Sequence, residues 1–304
     1  MVDYKRLLVG ISLRQQDGTS IRYAAMISRL AKSERITFLH VANTPEIEED
    51  VCTLYPELRP SCDGSTTKEV EALVKKYYDG HSETKLECEA VQGSPLVEML
   101  RRTKEEDVDL IIMRKRGGDK ASGNLSTKLT RRAPCSVLFV PEGADSWYTN
   151  ILVPIDFSEN AREAVEAAVA FALAGGIKEI RCLNVYSVPS GYYKTGKSYE
   201  QFAEIMKGHA EKKYQEFIGN IDLKGLKAIP KFKLEHKNYR GIWEAVLEEK
   251  EVHLLIMGAR GRKAGAGVLL GSVTEHLIKT TTVPLLAVKQ KGTGLSLLDA
   301  LFRL

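Results

Sequence analysis

The chain alternates short, wholly apolar runs with longer stretches in which apolar residues return every three or four positions. Leu7-Leu8-Val9, Leu110-Ile111-Ile112-Met113, Val137-Leu138-Phe139-Val140, Ile151-Leu152-Val153 and Leu254-Leu255-Ile256-Met257 lack the polar alternation of a half-exposed strand. They read as parallel strands buried on both faces. Residues 161–174 place Ala164, Val165, Ala168, Phe171 and Ala172 on one helical face and stop at Gly175-Gly176. Residues 200–218 carry Phe202, Ile205, Met206 and Phe217 at helical spacing, Ile242 to Leu247 opens a third helix, and residues 273–280 form a fourth. Such alternation predicts βαβ units, right-handed crossovers and a sheet with helices on both faces.

The pattern also repeats. Leu7-Leu8-Val9-Gly10-Ile11-Ser12 matches Ile151-Leu152-Val153-Pro154-Ile155-Asp156, and Phe38-Leu39-His40-Val41 matches Cys182-Leu183-Asn184-Val185, both 144 residues apart. Asp107 to Met113 matches Glu251 to Met257 at the same offset. A period this long is that of a duplicated domain, not of a solenoid. The reading is an α/β chain of two repeated, doubly wound domains, each a five-stranded parallel sheet. They span residues 1–143 and 147–290, joined by a small polar linker, with an apolar tail at 291–304. Strands 137–140 and 285–288 would otherwise be exposed apolar edges.

Composition changes this picture little. The 304 residues carry 44 Lys and Arg against 40 Asp and Glu, a net of +4, too small to argue for nucleic acid. The excess lies in the second half, with 22 basic and 17 acidic residues after residue 146, so an anion site is better placed there. Five cysteines without a C-x-x-C pair argue for reduced, buried thiols rather than disulfides or zinc. The six histidines have no metal-ligand spacing. The N-terminus lacks the apolar stretch of a signal peptide, and no run is long enough to span a membrane. The expectation is a cytoplasmic protein without a transmembrane segment.

The loop after Met257 carries the candidate chemistry. Gly258-Ala259-Arg260-Gly261 leads to Gly271-Ser272 with the spacing G-x2-G-x9-G-S, between a strand and a helix. Glycines let backbone N–H groups approach an anion, the helix start offers unpaired N–H groups, and Arg260, Arg262 and Lys263 add charge. The spacing is not that of a Walker loop. Ser272-Val273-Thr274-Glu275 is also a capping box that needs no ligand. Asp156, ending its strand, suits a ribose or adenine edge, and either Asp156 or Ser158 can cap the following helix.

On these residues, with the closing helix and strand through Val288, the second copy resembles a universal stress protein domain of the nucleotide-binding type. The first resembles the same domain over roughly residues 4–141. The resemblance implies a tandem protein forming an intramolecular pseudo-dimer, with ATP as ligand, accompanied by Mg. Asp156 and Val185 would line the adenine side. Gly258, Gly261, Gly271, Ser272 and Val273, flanked by Arg260 and Thr274, would surround ribose and phosphates, and Pro154 and Met257 would form apolar walls. The first copy departs from this pattern. Ser12 replaces Asp156, Arg114 replaces the first glycine, and only five residues separate Gly117 from Gly123. It is expected not to bind ATP, and its Arg114-Lys115-Arg116 reads as a solvated basic turn, with a site for another anion as the alternative.

Three functions compete. A nucleotide sensor or regulatory module in stress response leads, acting as a homodimer of the tandem chain and through a protein partner. An ATP-using enzyme of related architecture, from slow ATPase to nucleotidyl transferase, is the second, although the H-x-G-H and S-G-G-x-D-S patterns of such enzymes are absent. A structural protein without ligand is the third. Residues 43–67 read as a long acidic loop. Residues 188–198, rich in tyrosine, read as a variable connection that could also cover a ligand. The apolar tail reads as a short helix docked on this chain or a second copy.

Overall fold

In the computed structural model, two compact units are found: residues 147–289, and residues 4–145 with 290–292. The structure describes residues 4–43, 64–115, 120–145, 147–248, 252–261 and 270–292. The short docked helix expected of the apolar tail, residues 295–304, and the span 262–269 of the glycine loop therefore lie outside the described residues.

The first unit runs β1 (Arg6–Ile11), α1 (Asp17–Ala31), β2 (Arg35–Asn43), α2 (Gly64–Tyr77), β3 (Lys85–Gly93), α3 (Pro95–Glu105), β4 (Leu110–Lys115), α4 (Lys120–Arg132), β5 (Ser136–Pro141). Its strands are all parallel in the order β3-β2-β1-β4-β5. The second runs β6 (Ile151–Pro154), α5 (Glu159–Ala174), β7 (Glu179–Tyr186), α6 (Tyr199–Ile218), β8 (Lys227–Leu234), α7 (Asn238–Glu248), β9 (Leu254–Gly258), α8 (Ser272–Thr280), β10 (Leu285–Val288). Its order is β10-β9-β6-β7-β8, again parallel. Each unit is thus a doubly wound α/β domain, with β6, β9 and β10 buried throughout and the outer strands β3 and β8 half-exposed. No described helix is long and apolar enough to cross a membrane.

From β6 the chain winds outward to β7 and β8, then returns past β6 to β9 and β10. The reversal falls between β6 and β9, where such sheets open a crevice at their carboxyl ends. Here the opening has a local cause. Pairing of β6 with β9 ends at Leu152↔Leu255, because Pro154 has no N–H to offer, whereas the equivalent pairing of β1 with β4 continues to Val9↔Ile112.

Both units fasten the strand ends beside this crevice in the same way. Asn184 Nδ2 donates to the Ile155 carbonyl at 2.9 Å, and 144 residues earlier His40 Nδ1 lies 3.0 Å from the Ile11 carbonyl. Beyond each first strand the backbone turns through a left-handed residue, Leu13 at φ 57° and Phe157 at φ 63°. The non-glycine strain is held in the second unit by Phe157 packing edge-on against Phe217.

Several boundaries differ from the sequence reading. The third helix begins at Asn238, four residues before Ile242, since its first turn is polar and carries no apolar period. Gly64 to Thr67, read as loop, already belong to α2, and residues 44–63 lie outside the described residues. In the tyrosine segment, residues 192–195 form a 3-10 turn in which Tyr192 packs edge-on against both Tyr193 and Tyr199.

Gly258 ends β9 against the first turn of α5. A Cβ there would lie 2.7 Å from the Asn160 carbonyl oxygen and 2.9 Å from its carbon, backbone atoms that cannot swing aside. Gly258→Ala is therefore expected to cost about 1–3 kcal/mol, read as a lowered urea midpoint for the second unit. Gly271→Ala, where φ is −72° and the nearest atoms are 3.5 Å from a Cβ, is expected to leave that midpoint unchanged.

Candidate functional site

A cavity of about 660 Å³ opens at the crevice of the second unit. All eleven residues singled out from the sequence border it: Pro154 and Asp156 after β6, Val185 on β7, Met257, Gly258, Arg260 and Gly261 at and after β9, and Gly271, Ser272, Val273 and Thr274 at the start of α8. The floor is apolar, with Ile155, Leu183, Val185 and Met257 from three neighbouring strand ends. The rim is polar. Tyr192, Tyr193 and Tyr199 are not among the bordering residues.

The start of α8 supplies donors, but not as a capping box built on Ser272. The cap is Gly271, and Ser272 is the first helical residue. Glu275 N–H bonds the Gly271 carbonyl at 2.9 Å, and the Glu275 carboxylate reaches Lys279 at 2.8 Å. Gly271 N–H is itself spent on the Ala259 carbonyl at 2.8 Å, which folds the loop onto the strand end. Among the described residues the N–H groups of Ser272, Val273 and Thr274 remain without acceptors, as the first turn of any helix leaves them. The Ser272 hydroxyl is exposed and also unbonded among the described residues. Thr274 has a different part. Its side chain is buried, and its hydroxyl donates to the Gly258 carbonyl at 3.0 Å, tying α8 to β9.

Asp156 faces the loop from the other side. Its Oδ1 accepts from the Ser158 N–H at 3.1 Å and the Ser158 hydroxyl at 2.5 Å, while Ser158 Oγ accepts from Ala161 N–H and caps α5. Ser158 is thus the cap, and Asp156 orients it. The other carboxylate oxygen, Oδ2, lies where a Cβ on Gly261 would fall 2.8 Å away, so the absent side chain at 261 is what lets the loop pass over the carboxylate. Arg260 is close enough to α5 to oppose the rise of the Glu163 carboxyl, which burial and the neighbouring Glu159 and Glu166 push upward.

The sequence reading missed the wall formed by the β8–α7 connection. His236, Lys237, Asn238, Tyr239 and Ile242 all border the cavity. Gly241 brings α7 onto β7 so closely that a Cβ would meet Val185 Cγ1 at 2.8 Å. The available signal was the polar run before Ile242, which has no counterpart in the glycine pattern. Tyr239 stacks on His276 of α8 with ring centroids 3.9 Å apart, joining this wall to the glycine side.

The equivalent place in the first unit is filled by the chain itself. Arg114, at the position of Gly258, turns its guanidinium inward until Nε lies 3.4 Å from Asp17 Oδ1 and one terminal nitrogen 3.3 Å from Ser12 Oγ. Asp17 also accepts from the Ser12 N–H and hydroxyl and from the Arg14 N–H at 2.8–3.0 Å. Both charged side chains are buried, at 6% and 1% exposure. Arg114 is therefore no part of a solvated basic turn, and burial also pushes the Lys115 ammonium down to about 8. The sequence reading overlooked Asp17, which stands where the second unit has Ala161.

The universal stress protein family model matches residues 3–141 and again 148–289. Universal stress protein MJ0577 of Methanocaldococcus jannaschii is 31% identical over 160 residues, 48% of this chain and 98% of that protein. The crystal structure of a universal stress protein from Archaeoglobus fulgidus covers 95% of this chain and 98% of its own, with TM-score 0.62 and 19% identity. The functionally unknown protein PA1789 of Pseudomonas aeruginosa covers 99% and 98%, with TM-score 0.68 and 15% identity. These two structures share the fold of the whole tandem chain.

The buried pair of the first unit generates a prediction. Arg114→Ala leaves the Asp17 carboxylate buried without its cation, and is expected to cost about 3–5 kcal/mol. The double variant Arg114→Ala, Asp17→Ala removes both charges and is expected to cost less than the first alone. Hydrogen exchange of the β1 and β4 amides reads the first unit separately from the second.

Proposed function

Because the chain belongs to the universal stress protein family, we propose that residues 147–289 bind ATP in the cavity after β6 and β9, and that the chain acts as a nucleotide sensor. The observation that carries this reading is the convergence of five separated segments on one cavity of about 660 Å³, a volume in the range of small-molecule sites. The apolar floor suits a purine ring. The unspent N–H groups of residues 272–274, the Ser272 hydroxyl and the Arg260 guanidinium suit a polyphosphate.

Magnesium fits as a companion of the phosphates rather than as a protein-held ion. Among the described residues no group of three or more His, Cys, Asp or Glu side chains can hold a metal. Mg²⁺ takes one or two protein oxygens with phosphate and water completing its shell, and the Ser272 hydroxyl at the start of α8 is the oxygen at hand. The ion would neutralise phosphate charge. The protein side of the site binds and orients.

The first unit is left out of this proposal because its equivalent space holds the Arg114–Asp17 pair. Titration calorimetry of the full chain with ATP and Mg²⁺ is expected to give one site per chain, and two equal sites would overturn the reading. Gly261→Val is expected to reduce affinity at least tenfold with little change in thermal midpoint, since its Cβ crowds Asp156 rather than the core. Asp156→Ala is expected to weaken binding by about 1–3 kcal/mol, the usual cost of a lost hydrogen bond to a charged group.

A further inference from the structure

The sheet of each unit ends in an outer strand, β3 in the first and β8 in the second, and among the described residues no strand pairs beyond either. Lys85 N–H bonds the Glu34 carbonyl, and the Lys227 and Glu235 N–H groups bond the Lys178 and Tyr186 carbonyls. Backbone polar groups alternate in direction along a strand, so the odd-numbered residues of both strands are turned to the inner neighbour. The even-numbered ones, Leu86, Cys88 and Ala90 on β3 and Pro230, Phe232 and Leu234 on β8, are turned outward. Such a row is a template for another strand.

The two strands hold the same place in the duplication, since the pairing Arg35↔Lys85 corresponds to Glu179↔Lys227. Their charges have diverged to opposite sign. Glu87 and Glu89 stand where the second unit has Ile229 and Lys231, and Val91 stands where it has Lys233. The charged side chains share a direction as well. Glu89 pairs with Arg102 of α3, and Lys233 pairs with Glu244 and Glu248 of α7 at 3.2 and 2.7 Å. In each unit they therefore lie on the face covered by the helix that follows the strand. Edge charges that only repel other strands need no such difference in sign between equivalent positions.

We propose that the β3 edge of one copy of this chain pairs antiparallel with the β8 edge of a second copy. One register meets every demand. Leu86 opposite Leu234, Cys88 opposite Phe232 and Ala90 opposite Pro230 bring outward-turned backbone groups face to face, as the hydrogen-bonded pairs of an antiparallel ladder require. Between them the same register sets Lys85 against Glu235, Glu87 against Lys233 and Glu89 against Lys231, all on the helix-covered face. Leu86 and Leu234, exposed at 39% and 36%, cover one another on the other face. Pro230 has no N–H, so its pair keeps one of two bonds. Pairing β3 with β3, or β8 with β8, instead sets glutamate against glutamate or lysine against lysine in the central registers. The contact joins two different edges, so copies add head to tail, into a ring or a filament.

Sedimentation velocity of the full chain over a range of concentrations tests this, with the thermal midpoint of every variant measured alongside. The wild type is expected to form concentration-dependent oligomers that weaken at high salt. Lys231→Glu, at an exposed position, sets two carboxylates opposite one another and is expected to weaken association about tenfold. Adding Glu89→Lys restores opposite signs at that pair and is expected to recover the wild-type association. Adding Glu87→Lys instead, which is not opposite residue 231 in this register, is expected to recover nothing. Leu234→Asp, also at an exposed position, disturbs the other face of the same register and is expected to weaken association without any change of charge pairing, which keeps the test open should Glu89→Lys unfold through its loss of Arg102. A wild type that stays a single chain at every concentration overturns the proposal. So does equal association in the wild type, Lys231→Glu and Leu234→Asp, or a folded Lys231→Glu, Glu89→Lys chain that fails to recover.

Discussion

A Cβ at residue 258 would lie within 2.9 Å of three atoms of Asn160, two of them backbone. That single steric limit sets much of the second unit. With glycine there, the first turn of α5 closes directly onto the end of β9, and Ser158 caps the helix through Ala161 N–H. The Gly258 carbonyl, left facing α8, takes the Thr274 hydroxyl. Three elements are thereby gathered around one residue, at the edge of the cavity. The early end of β6–β9 pairing before Pro154 widens the same space from the opposite side.

The first unit shows what happens when that limit is not respected. Arg114 has a side chain to place, and the start of α1 moves back to accommodate it. Helix α1 begins at Asp17, whereas α5 begins at Glu159, two residues earlier in the repeat. Arginine in a dry crevice is costly unless its charge is paired and its donors bonded. Asp17 and Ser12 meet both demands, and the backbone N–H groups of Ser12 and Arg14 hold the carboxylate in place. The three exchanges between the units, Ser12 for Asp156, Asp17 for Ala161 and Arg114 for Gly258, are therefore one change. The carboxylate moves from strand end to helix start because a guanidinium has come to occupy the crevice.

This coupling also marks the limit of what could be read along the chain. The duplication, the inner strands and the helices of the second unit are written in local apolar periodicity, and the glycine loop was legible because a strand, a loop and a helix start follow one another in sequence. Asp17 carries no local signal, and only its contact with a residue 97 positions away in the chain shows it as half of a buried pair. Likewise the wall from His236 to Ile242 reaches the cavity through the crossover that returns the chain from β8 to β9. The capping box at Ser272 failed for a nearer reason. Gly271 already carries the extended φ and ψ of a cap, and its N–H is bonded to Ala259, so the helix starts one residue earlier than the side-chain pattern suggested.

The site divides into a locked floor and an unspent rim, and that division bears on how a ligand could signal. Asn184, Ser158 and Thr274 use their side chains on protein partners, fixing β7, α5 and α8 to the strand ends. The first-turn amides of α8, the Ser272 hydroxyl and the Asn238 amide do not. A ligand entering the cavity gains most by satisfying groups that belong to two helices, α7 and α8, already in contact through the Tyr239–His276 stack. Occupancy would therefore bias the spacing of those helices while the sheet beneath stays fixed. The side of α7 away from the sheet carries Trp243 and Leu247, exposed at 40% and 49%. Trp243 and Leu247 thus lie on the same helix whose first turn borders the cavity, so cavity wall and exposed apolar surface are two faces of one element.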